Sequence, residues 1–446
     1  MSTITTTTDE NSYLILGAGI FGVSTAYHLI KSNPAASITL VDRDAFDAAS
    51  RVAASWDWNK VVRADYADID YCALALEAQD IFNTDPLWQP FFHETGVYWV
   101  CRDEYAQEVV NNYRKLGRKA EIAAFPLEES KKMYGGLFAQ ADYTDAKEVL
   151  INKTSGWAAA GDCLRAVTRE IIRLGVKYVT ADVERLVFDG AGNCSGVRTK
   201  TGEEIRGSKV ILSTGAFTAK LLEVTAAATG KEDLRAGPRI VAGGIATGMV
   251  TLDEKSYGKF AAMPVGFQGY SADKGPFLGT LPPTPEKQLK WWGRTIFSNT
   301  QEVLPGRFVS APPTDQDYAQ WKVSRKLEDD VRYSARMFYG APTATWQMEK
   351  LRICWDAFTP TGDFIISPHS AAKGLYVATC GSFHGFKFFP VIGKYVVQML
   401  QGELDSHLKQ KWAWDRTAEQ LDSTVNPEFP RSEMSDMLDV APAAKL

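Results

Sequence analysis

A chain of 446 residues is longer than one compact core usually accommodates, which predicts two or three domains. With 45% hydrophobic and 23% charged residues and a formal net charge of -5, the composition is that of an ordinary globular protein, and no lysine- and arginine-rich run offers a footprint for nucleic acid. Six cysteines without a CxxC pair, set apart from the five histidines, argue against a disulfide framework and against zinc-ligand spacing, and point to a reducing intracellular compartment.

The opening MSTITTTTDENS lacks the basic start and apolar core of a secretory signal and reads as a disordered leader. No apolar stretch reaches the roughly 18 residues that span a bilayer, so no membrane partner is expected. Next comes YLILGAGIFGVSTAYHLIKSNPAASITLVDRD, the most informative local stretch. Tyr13 to Leu16 form a short apolar strand, Gly17-Ala18-Gly19-Ile20-Phe21-Gly22 supplies GxGxxG, helical periodicity follows, and Ile38 to Val41 form a second strand ending at Asp42. Gly17 serves the tight turn, Gly19 lets the backbone approach a pyrophosphate, and Gly22 allows close helix–strand packing. The helix N-terminus faces the phosphates, while Asp42, with Arg43 beside it, accepts from ribose hydroxyls. This unit binds NAD or FAD, and the local residues leave both open.

Further along, SKVILSTGAFTAKLLE predicts a buried strand at Val210 to Leu212, a Thr214-Gly215-Ala216 turn and a helix. GLYVATCGSFHGFKFFPVIGKYVVQML repeats the format, with a strand at Leu375 to Ala378, a loop bearing Gly381 and Gly385, and a helix from about Pro390. Three returns to one nucleotide fold favour FAD, whose length needs contacts from distant segments. Between them, Leu304 to about Ala341 shows a proline-rich loop and then helical periodicity. The sequence ends in a flexible acidic tail and Ala444-Lys445-Leu446, which resembles a peroxisomal address and would engage an import receptor.

Together these pieces resemble the D-amino-acid oxidase superfamily of flavoproteins, and within it the branch of monomeric sarcosine oxidase, fructosyl amino acid oxidase (amadoriase) and fungal saccharopine oxidase. The resemblance rests on NKVVRADYADIDYCALALEAQDIF, DPLWQPFFHETGVYWV, CWDAFTPTGDFIISPH and GSFHGFKFFPVIG. It implies that Cys354 carries the flavin through its 8α-methyl carbon, although a free cysteine otherwise reads as a small buried hydrophobe. It puts Lys60 against the flavin face and Arg63 and Lys387 at a substrate carboxylate, the guanidinium and ammonium together forming the clamp. If the Lys60–Arg63 stretch is helical, those two share a face. Lys290 in QLKWWG is the candidate for oxygen activation, with Lys287 as the alternative, and Gly381, Gly385, Phe386 and Lys387 border the flavin. His384 tunes the flavin or caps its loop, His93 reads as structural, and Trp291, Trp292 and Trp355 wall the site or fill the core.

The expected fold is α/β, a Rossmann-type FAD-binding domain interleaved with a mixed-sheet substrate domain, like glutathione reductase 2 or p-hydroxybenzoate hydroxylase. The FAD domain draws on 10–84, 150–226 and 345–410, the substrate domain on 85–149 and 227–344, and 411–446 forms the tail. The expected activity is oxidation of a secondary amine, such as a fructosyl amino acid or saccharopine, at the expense of O2, by a monomer. A biosynthetic oxidase of an N-methyl or cyclic amine, and an NAD-dependent dehydrogenase, stay open as alternatives.

Overall fold

The structure is a computed structural model that describes residues 11–49, 51–269, 277–313 and 319–439. The Ala444-Lys445-Leu446 tripeptide and the opening ten residues lie outside the described residues.

Ser12–Leu16 extends where expected, and Leu14, Ile15 and Leu16 lose nearly all solvent contact because the strand sits in the middle of a six-stranded sheet. The order is Ile365–Pro368, Leu375–Thr379, Lys209–Leu212, Ser12–Leu16, Ser37–Asp42, Lys177–Thr180. All neighbours run parallel except the first pair, which is antiparallel. Near-continuous apolar runs such as YLIL and VIL fit a sheet covered on both faces. The helix Ile20–Ser32 packs over it together with Ile392–Gln401 and Ala160–Arg173.

Two glycines make the first turn possible. Gly17 has φ 96°, and a Cβ there would lie 2.3 Å from the Ser213 carbonyl oxygen. At Gly22 a Cβ would lie 1.9 Å from the Gly17 carbonyl oxygen, so only glycine lets helix and strand approach this closely.

The second large element is a nine-stranded sheet, ordered from Lys350–Phe358 through Val241–Thr251 and Gln288–Ser298 to Val97–Cys101 and beyond. The amphipathic helix Arg325–Tyr339, expected from its periodicity, covers one face, its Leu327, Val331, Ala335 and Phe338 turned inward. Lys350–Phe358 lies within sequence expected to join the FAD domain, yet it pairs in this larger sheet. Alternation explains its double service. Ile353 and Trp355 enter the larger sheet's core, while Cys354 joins the cluster that includes Ile20 and Phe386. The strand is thus a wall shared by both sheets. No helix among the described residues is long and apolar enough to cross a membrane.

Candidate active site

A cleft of about 420 Å³ opens at the carboxyl ends of the parallel strands. Gly17, Gly19, Ile20, Phe21, Asp42, Arg43, Cys354, Gly381, Gly385 and Phe386 all line it, and so does Lys60. Gly22 sits behind the turn. The arrangement suits a dinucleotide. The N-terminus of a 13-residue helix opens on the cleft, with its first N–H on the Ser55 hydroxyl at 3.0 Å. The Asp42 carboxylate accepts from the Ala18 N–H at 2.6 Å.

Arg51 is a participant the sequence did not announce. Only 1% exposed, it lies 2.9 Å from Asp42 and donates to the Ala18 carbonyl at 3.2 Å. Its Nε has no hydrogen-bond partner among the described residues. A buried guanidinium with donor capacity to spare, beside a glycine turn, fits a site for a phosphorylated cofactor. Nothing in the spacing of RVAAS marks it, because its partners come from two other segments.

Around Cys354 the geometry is set by facing strands. Arg352, Cys354 and Asp356 share one face of their strand, and Lys290 and Trp292 share one face of Gln288–Ser298. The Lys60 ammonium reaches the Cys354 sulfur at 3.5 Å and the Asp57 carboxylate at 3.0 Å. Lys290 reaches the same carboxylate at 2.6 Å and the Asn59 carbonyl at 3.2 Å, and Arg352 stands 3.7 Å away. One buried carboxylate therefore balances three cations. Burial opposes the charge of Asp57, but Lys290, Lys60 and Arg352 prevail and hold it below the usual carboxylate range. Burial pushes Lys290 down to about 8 despite the pull of Asp57. For Lys60 burial is outweighed by the Cys354 sulfur and Asp57, which hold its ammonium above the ordinary value. Lys287, the alternative, lies in a turn with φ 64° and pairs with Glu254 away from this cluster.

Arg63 and Lys387 meet on one aromatic ring. The Arg63 guanidinium carbon lies 4.5 Å from the Tyr66 ring centre and 4.7 Å from that of Trp99, and the Lys387 nitrogen lies 5.5 Å from Tyr66. Both residues are 5% exposed. Burial, with Arg63 as a like-charged neighbour, pushes Lys387 well below the ordinary lysine value. Lys60–Val62 is a strand, not a helix, paired with Gly156–Ala158. A spacing of three in extended chain sends Lys60 and Arg63 to different surroundings, Lys60 to Cys354 and Arg63 to the aromatic nest.

His384 holds this nest in register. Its Nε2 donates to the Gly362 carbonyl at 2.9 Å, so Nδ1 accepts from the Tyr66 hydroxyl at 3.0 Å. Burial, then the nearby Lys387, pushes its pKa down to about 3, and the ring is neutral at physiological pH. Trp292 packs against Phe383, Phe267 and Phe277 on this side, whereas Trp291 fills the core beside Trp346 and Tyr339. His93 stacks on Trp157 at 4.0 Å, a packing contact.

Residues 12–399 match the family described as DAO, FAD dependent oxidoreductase. Over 91% of the chain it is 26% identical to L-saccharopine oxidase of Schizosaccharomyces pombe, covering 93% of that protein. Monomeric sarcosine oxidase of an Arthrobacter species is 23% identical, over 86% of this chain and 91% of its own. The fold is that of a fructosyl peptide oxidase from E. terrenum, with a TM-score of 0.80 at 22% identity and 99% of each chain covered. Of the two dinucleotides the glycine turn could hold, FAD is therefore the one, and the NAD-dependent reading falls.

Proposed function

Because the chain belongs to the DAO family of FAD dependent oxidoreductases, we propose that it oxidises secondary amines, specifically N-substituted amino acids, and delivers the electrons to dioxygen as peroxide. The observation that carries the reading is the meeting of Arg63 and Lys387 on Tyr66 beside a cofactor cleft that Lys60 and Cys354 line. The names of the saccharopine and sarcosine relatives support a secondary amine as the group attacked.

In this reading the Gly17–Gly19 backbone, the helix start at Ile20 and Arg51 hold the pyrophosphate, Asp42 takes the ribose, and Cys354 anchors the ring system covalently. FAD, when bound, supplies the acceptor for the two electrons and the hydrogen that leave the substrate carbon. Arg63 and Lys387 fix the substrate carboxylate, and Tyr66, Trp99 and Trp292 shape a wall that excludes water. A carboxylate entering beside Lys387 favours its charged form against the burial that opposes it. Lys290, held by Asp57 and the Asn59 carbonyl, keeps a positive charge where negative charge develops on dioxygen. Amine and O2 then leave as imine and hydrogen peroxide, two hydrogens having passed from one to the other. The terminal Ala444-Lys445-Leu446 supports a peroxisomal address for such a peroxide producer.

The test is a peroxide-coupled screen of saccharopine, fructosyl-valine, fructosyl-lysine, sarcosine and pipecolate against the yellow holoenzyme. Peroxide with at least one N-substituted amino acid is expected. Silence across the set, with flavin bound, removes the amine reading while leaving the family intact.

A further inference from the structure

The loop that follows Leu375–Thr379 is bent into an unusual shape. Three of its four residues Cys380–Phe383 are non-glycine residues in the left-handed region, with φ of 70° at Cys380, 44° at Ser382 and 67° at Phe383. L side chains adopt this region rarely, and such residues persist only where the surroundings over-determine them.

One carboxylate stands at the centre of what holds them here, with the Ser382 hydroxyl also accepting from the Thr359 N–H at 3.3 Å. Asp356 Oδ2 accepts from the Phe383 N–H at 2.9 Å, and Oδ1 accepts from its own neighbour Ala357 at 2.8 Å. The fourth residue, Gly381, leaves room for that carboxylate, since a Cβ there would lie 2.9 Å from Oδ2. Ser382 adds a backbone bond to the Ala357 carbonyl at 3.0 Å, and the His384 N–H closes the turn on the Gly381 carbonyl at 2.8 Å. Asp356, Gly381 and Phe383 all line the cofactor cleft, and Asp356 lies two positions beyond Cys354 on the same strand face.

We propose that Asp356 is a positioning residue: it latches the strained Cys380–Phe383 turn to the Cys354 strand and so sets the cleft wall from which Phe383, His384 and Lys387 project. This rests on the reading of the cleft as an FAD site. The latch requires an acceptor at this place rather than a negative charge. An asparagine offers one oxygen to the Phe383 N–H and gives up the bond that the second oxygen accepts from the Ala357 N–H, and an alanine offers neither.

The experiment compares Asp356→Asn and Asp356→Ala with the wild-type Asp356, all in a Cys354→Ala background that holds FAD reversibly, by two readouts, FAD retained through gel filtration and chymotryptic cleavage of the flavin-free protein at Phe383. With the latch in place, the alanine variant binds FAD at least about tenfold more weakly and is cut at least about tenfold faster, the cost of a buried N–H left without a partner. The asparagine variant, which keeps the Phe383 bond and loses the Ala357 one, falls between the wild type and the alanine variant in both. An alanine variant that behaves like the wild type overturns the proposal, and so does an asparagine variant as impaired as the alanine one. Should the alanine variant prove insoluble, the asparagine variant decides: soluble protein that retains FAD supports the latch, and an insoluble asparagine variant overturns it. If the wild type bound no FAD, the cofactor reading would fall, while the cleavage rates would still decide on the latch.

Discussion

The Lys290 ammonium lies 2.6 Å from the Asp57 carboxylate, with the side chains 2% and 0% exposed. Strand and partner come from segments 233 residues apart. Lys290→Met should leave anaerobic bleaching of the flavin by substrate near its normal rate and slow its recovery on mixing with O2 by about a hundredfold or more. The two phases are separable by stopped flow, and an unchanged recovery rate rejects Lys290 as the oxygen-side cation.

The same pair sets a pH dependence. The competent form of Lys290 is the ammonium, which is present below its pKa of about 8 and lost above it. Recovery by O2 should therefore fall as pH rises through about 8 in the wild type, and Lys290→Met should lose that step in the profile. Asp57→Asn leaves three cations without their anion. Breaking a buried pair of this kind costs about 3–5 kcal/mol, a loss readable as a lower denaturation midpoint.

Replacing Lys387 with Met should raise KM for an N-substituted amino acid far more than for its decarboxylated counterpart. A charge-assisted contact contributes about 1.5–3 kcal/mol, so the ratio of the two effects should be about tenfold or larger. Equal losses on both compounds would mean that Lys387 supports the loop and does not hold a carboxylate.

Cys354→Ala should release all flavin on acid precipitation, while the wild type keeps yellow colour and in-gel fluorescence with the protein. The variant should still bind FAD reversibly, because the Gly17 turn, Asp42 and Arg51 are untouched. Flavin freed from the wild type would return Cys354 to the status of a buried small side chain.

His384 contributes to acid lability. Its folded pKa of about 3 lies below the unfolded value of about 6.5, so between those limits the unfolded chain binds the extra proton. Stability must then fall as pH falls through that window. His369, pushed down to about 4 chiefly by burial, acts in the same direction. In His384→Asn the slope of unfolding free energy against pH between 4 and 6 should be shallower, and an identical slope would show that the ring titrates freely.

The parallel sheet was legible because its signals are local: a strand, a glycine turn and an acid at fixed spacing from Ser12 to Asp42. Lys290 was singled out only through resemblance, with Lys287 left open beside it; its burial follows from alternation along Gln288–Ser298, which turns Lys290 inward with Trp292. Asp57, Arg51 and Asp356 were not legible. A carboxylate in SWDWNK or CWDAF, or a guanidinium in RVAAS, looks like any surface charge until Lys290, Phe383 or Ala18, respectively, is brought to it from another segment. The Lys60–Arg63 spacing left its element open, since a basic i, i+3 pair occurs in a helix and in a short strand alike, and the structure makes Lys60–Val62 a strand.

The parallel order of the six-stranded sheet also dictates when the cleft can exist. Ser12–Leu16 is synthesised first, yet its neighbour on one side is Lys209–Leu212, and the strand beyond that is Leu375–Thr379. Both of these pairings close a long stretch of chain, the kind of contact that forms slowly. The glycine turn therefore emerges from the ribosome long before Cys354, Gly381 and Phe386 can face it. A nascent polypeptide stalled before residue 350 holds half of a cleft, without Cys354 or the Cys380–Phe383 turn.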